Sequence, residues 1–128
     1  MKTTLRLIAF SLMMLIAIPA FSASFSTIFK CEQDDDATQA ALEAVASKWL
    51  KDARTMKGGK NLKAYLHYPV VAQMNEADFS FVIVAPSLKE WGEFMDGYKG
   101  SAAQKHDAEW DELAACPDNA LMKSVEIK

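Results

Sequence analysis

Histidine and cysteine are scarce in this chain of 128 residues: His67, His106, Cys31 and Cys116 are the only ones, and none lies close to another in sequence. That excludes zinc-finger and zinc-ribbon arrangements and a C-x-x-C redox motif, all of which need closely spaced ligands. Basic residues are not in excess either. With 14 Lys and Arg against 17 Asp and Glu, the chain lacks the positive surface that holds a phosphate backbone, and no nucleic-acid partner is expected. Serine-nucleophile, phosphate-loop and dinucleotide patterns are missing; Gly58-Gly59 runs into Lys60 without the flanking glycines such loops use. The acidic stretch Glu32–Asp36 has neither the alternate spacing, the glycine nor the distal Glu of a calcium loop. His106 and Glu109 lie three apart, but nothing nearby completes a metal site, so neither a metal nor a cofactor is expected. Disorder is excluded by composition, since 51% of residues are hydrophobic and 24% charged.

The first 22 residues read as a secretory signal. Lys2 and Arg6 precede an apolar run, Leu7–Ile18, whose 12 residues fall short of the roughly 20 that span a bilayer. Ala20 and Ser22 are the small residues that cleavage before Ala23 requires. Residues 23–128 then form a single domain, exported to the periplasm or the medium, with no stable membrane insertion after cleavage. Removal of Lys2 and Arg6 leaves 12 basic against 17 acidic side chains, a net charge of −5.

Alternation of Phe25, Thr27, Phe29 and Cys31 predicts a first strand over Phe25–Cys31. Leu42, Val45, Ala46, Trp49, Leu50 and Ala53 form the stripe of a helix, opened by a capping box of Asp36 and Gln39. A strand over Leu62–Tyr68 ends at Pro69, which suits a sheet edge. Asn75–Asp78 turns the chain into Phe79–Ala85, apolar on both sides and fit for the centre of a sheet. Ser87 with Glu90 opens a second helix carrying Leu88, Trp91, Phe94, Met95 and Tyr98; Ser101 with Gln104 opens a third carrying Ala103, His106, Trp110, Leu113 and Ala114. Cys116–Asn119 is expected to close that helix and Leu121–Ile127 to form the last strand.

This order predicts an α+β fold, a ferredoxin-like split βαβ sandwich (β-α-β-β-α-α-β) with antiparallel strands in the order 4-1-3-2 and helices on one face. The end of the first strand then meets the entry to the last, which brings Cys31 to Cys116 and predicts a disulfide in an oxidising compartment. One sheet face is left without helices although Val82 and Val84, or Phe81 and Ile83, must lie on it. A homodimer formed sheet to sheet is the expected cover.

The strand Phe79–Ala85 running into Pro86-Ser87 and a helix with Trp91 and Phe94 resembles the dimeric α/β-barrel superfamily, in particular its small exported members of unknown role. The resemblance implies three classes of activity: cofactor-independent monooxygenases, haem-degrading oxygenases and chlorite-dismutase-like proteins, beside many members with none known. In the haem-degrading branch an Asn on the first strand works with a Trp and a His; Trp91 and His106 are available here, whereas Phe25–Cys31 holds no Asn.

Function is therefore expected from a pocket between helices and sheet. Its candidates are Trp91, Tyr98, His106, Trp110, Tyr65 and His67, with a small apolar ligand as the occupant. The alternatives are a cofactor-independent or haem-dependent monooxygenase using His106 as base or ligand, with Trp91 and Tyr98 shaping the pocket, and a cell-envelope protein-interaction module. The competing reading of each histidine is a packed ring sharing a hydrogen bond, and of Trp49, Trp91 and Trp110, core packing.

Overall fold

A strand with apolar bulk on both sides is satisfied only between two neighbours. Strand β3 (Phe79–Ala85) has β2 (Lys63–His67) on one side and β1 (Ser24–Gln33) on the other; β4 (Ala114–Ser124) lies beyond β1. All pairings are antiparallel and the order β2-β3-β1-β4 is the expected 4-1-3-2 read from the other edge. The structure is a computed structural model that describes residues 23–71, 77–125 and 127. The signal segment 1–22, and Asn75 and Glu76 of the expected turn, lie outside the described residues. Three helices, α1 (Gln39–Ala53), α2 (Leu88–Asp96) and α3 (Asp107–Asp111), with a 3-10 turn at Gln104–His106, complete a ferredoxin-like fold.

Register decides which side chains meet the helices. Phe29, Phe81 and Leu66 stand side by side across three strands, as do Thr27, Ile83 and Ala64, and these rows face the core. Ile28, Val82 and Tyr65, with Ser26, Val84 and Lys63, form the opposite face. Phe79, Phe94, Leu42 and Leu62 are fully buried, each contributing about 1.5–3 kcal/mol. Gly58, at φ 75°, packs so closely on α2 that a Cβ there would collide with the Glu90 carbonyl.

Several boundaries differ from expectation. The cap of α1 is Thr38, whose Oγ1 accepts from Ala41 N–H at 3.2 Å, while Asp36 lies in the preceding turn and Gln39 bonds Glu43. Thr38 wins because its hydroxyl sits one residue before the first helical turn, where the free N–H groups point. Ser87 caps α2 as expected, accepting from Glu90 N–H at 3.1 Å and donating to its carboxylate at 2.9 Å. Two members of the α2 stripe, Leu88 and Met95, are exposed, since this nine-residue helix buries only Phe94 fully. Ser101 accepts from Gln104 N–H at 3.1 Å, but the third helix then tightens into the 3-10 turn before α3. Leu113 and Ala114 are not part of it.

The last strand begins seven residues before its expected start at Leu121, because Pro117 does not end it. β4 is an edge strand, where a missing N–H donor is tolerated. Its register with β1 also shifts between Lys30 and Glu32, so that Cys116 and Pro117 together oppose Cys31. The Cys31–Cys116 disulfide closes at this bulge, with Cα atoms 4.0 Å apart.

Candidate functional site

Side chains from every layer converge on one cavity of about 610 Å³, within the roughly 300–1,000 Å³ usual for small-molecule sites. The sheet supplies Thr27, Phe29, Phe81, Ile83 and Leu121, and the helices supply Trp49, Trp91, Phe94 and Trp110. The rings brace one another: Trp49 meets Phe81 edge-on at 5.4 Å between centroids, Phe81 lies 5.0 Å from Trp110, and Trp91 lies 5.9 Å from Phe94. Such contacts fix the walls from three helices and the strand β3.

Polar groups are few and specifically placed. Tyr98, just beyond α2, accepts from Trp49 Nε1–H at 2.9 Å and donates its hydroxyl to Asp107 Oδ1 at 2.6 Å. Burial, and then the bond to the Asp107 carboxylate, push the Tyr98 phenol well above its ordinary pKa, so it stays protonated at neutral pH. Asp107 and Asp111, four apart on α3, both line the cavity, and among the described residues no Lys or Arg does. Thr27 is 5% exposed and lines it from the sheet side; its Oγ1 has no hydrogen-bond partner among the described residues. An unpaired buried hydroxyl costs about 1–3 kcal/mol.

His106 also lines the cavity, but its nitrogens face other groups. Nε2 is 2.9 Å from Asp52 Oδ2, and Nδ1 lies 3.8 Å from Glu109 Oε2. Glu109 is in turn bound by Lys48 at 2.6 Å, whose hydrogen bond holds its carboxyl below the usual range. A haem ligand needs an imidazole nitrogen turned toward the iron, and a general base needs one turned toward substrate. The ring satisfies neither, so the residues present do not fit a haem. Among the described residues there is also no cluster of three His, Cys, Asp or Glu side chains able to hold a metal ion.

Of the six pocket candidates, the structure brings together Trp91, Tyr98, His106 and Trp110. Tyr65 and His67 do not join them. They lie on the opposite face of β2, their rings 5.9 Å apart, because they alternate with the core-facing Ala64 and Leu66. The sequence reads Asp107 and Asp111 as solvated charge on an exposed helix face, and Thr27 only as part of the first strand's alternation, whereas all three line the cavity. A hydroxyl on the apolar face of the first strand was a readable signal for Thr27. Asp107 lies on a different helical segment from Tyr98, so no helical spacing connects the two.

No protein-family model matches the sequence, and no curated protein sequence matches it. Solved structures do. A dimeric ferredoxin-like protein of unknown function from Thermobifida fusca is 14% identical over 83% of this chain and 93% of its own, at a TM-score of 0.49. A DABB family protein with a ferredoxin-like fold from Mesorhizobium loti is 6% identical over 83% of this chain and 99% of its own, at 0.49. A chlorite dismutase from Candidatus Nitrospira defluvii, in complex with imidazole, is 14% identical over 82% of this chain, which spans 41% of that protein, at 0.41.

Proposed function

We propose that the chain is an exported binding protein which pairs sheet to sheet as a homodimer and holds a small, largely apolar ligand between its helices and its sheet. The observation that carries this reading is the aromatic cavity: three indoles and three phenyl rings around about 610 Å³, with few polar groups among them. Support for pairing comes from the sheet face that carries none of α1, α2 and α3, where Ile28, Val82, Val84 and Tyr65 form an apolar band that Met122 and Ala120 extend onto β4. Val82 is sheltered within the single chain at 5% exposure, so Tyr65 and Met122, about half exposed, are the residues a partner would cover. Export is supported by the Lys2, Arg6 and Leu7–Ile18 pattern and by the disulfide, which suits an oxidising compartment.

Binding is favoured over catalysis because the tyrosine and the histidine at the cavity are already engaged: Tyr98 donates its hydroxyl to Asp107 and His106 is turned to Asp52. The test is native mass spectrometry on protein purified from the exported fraction. A bound small-molecule mass that Trp91→Ala and Trp110→Ala abolish supports the reading. A ligand-free protein that neither takes up hydrophobic probes nor shows indole perturbation in their presence overturns it. Intact mass checks export: the chain should start at Ala23, and a full-length species in the membrane fraction counts against cleavage.

A further inference from the structure

The chemistry of the cavity wall narrows what it can hold. Among the described residues its ionisable lining consists of Tyr98, His106, Asp107 and Asp111, with no Lys or Arg. Any positive charge on His106 faces Asp52 and Glu109 and is matched there. Asp107 spends Oδ1 on the Tyr98 hydroxyl, and its Oδ2 has no partner among the described residues.

A wholly apolar occupant would strip water from the Asp107 carboxylate and give nothing back, which is unfavourable for a charged group. An anion would meet two carboxylates and no free cation. A cation answers each feature: it pairs with the carboxylate, and its charge and apolar body lie against indole faces, which attract cations through the ring quadrupole. We infer that the cavity takes a small organic cation, an aromatic or branched aliphatic body carrying an ammonium group that meets Asp107. This rests on the cavity being a binding site, and it names the ligand class of that site.

The test is calorimetric titration of the purified protein at pH 7 with three probes of one shape and different charge: 2-naphthylmethylamine, 2-naphthylmethanol and 2-naphthoate. The amine should bind about tenfold or more tighter than the alcohol, and the carboxylate weakest of all. Asp107→Asn should remove the amine's advantage over the alcohol, so that the two bind with similar affinity. Equal binding of amine and alcohol, or tighter carboxylate, overturns the cation inference and leaves the cavity standing as a site for apolar molecules. Failure of all three at millimolar concentration overturns the binding site with it. The wild-type series decides even if the Asp107 variant does not fold.

Discussion

Tyr98 donates its hydroxyl to Asp107 at 2.6 Å, joining the chain just beyond α2 to the start of α3 in the lining of the cavity. Because the folded protein holds this phenol above its ordinary pKa, its contribution to stability is complete below about pH 10, where unfolded tyrosine is protonated as well. Above that pH the unfolded chain loses the proton first. Stability then declines by up to about 1.4 kcal/mol per pH unit until the folded phenol ionises too. In absorbance titration at 295 nm the Tyr98 phenol should ionise above the ordinary tyrosine range, and Tyr98→Phe should remove that late step. A variant that keeps the late step refutes the assignment.

Thr27→Val should stabilise the ligand-free protein by about 1 kcal/mol, since it exchanges a stranded hydroxyl for a methyl group of the same shape on a strand that favours branched residues. Urea unfolding measures it. A loss of stability would mean that the hydroxyl has a partner after all.

Replacing Cys31 and Cys116 together by serine should cost about 4–5 kcal/mol in the chain-entropy model, because the bridge spans 85 residues. The helical signal should survive at low temperature, as the sheet order depends on apolar pattern and not on the bridge. Unchanged stability would show that the bridge does not form in the purified protein.

Met122→Glu places a charge on the sheet face opposite α1, α2 and α3 at a half-exposed position, where a single chain has room for it. Light scattering across a concentration series should find the native protein dimeric and this variant monomeric, with the same circular dichroism. A native monomer at micromolar concentration rules the pairing out.

How far the amino-acid pattern foretold this molecule depends on whether the physics was local. β3 could be read to the residue because apolarity on both sides demands a central strand, and Pro69 pointed to the neighbouring edge. Ser87 capped its helix as its spacing with Glu90 required. Errors arose where two local signals competed: Thr38 against Asp36 for one helix start, and Pro117 as a stop signal against its tolerance at a sheet edge. The site was half legible. Helical stripes placed Trp91, Trp110 and His106 toward the sheet, whereas the period of two that separates Tyr65 and His67 from Leu66 does not say which face the helices cover. The bond from Tyr98 to Asp107 joins separate helical segments, and no periodicity reports it.

The indole N–H of Trp110 points at Cys116 Sγ, 3.4 Å away, in the wall of the cavity. A disulfide in contact with an excited indole accepts its electron and darkens its emission, whereas two thiols do so far less. The chain thus carries an optical gauge of its own oxidation, read at the surface where a ligand would sit. Reductant should brighten the native protein, and Trp110→Phe should remove most of that gain while Trp49 and Trp91 continue to emit.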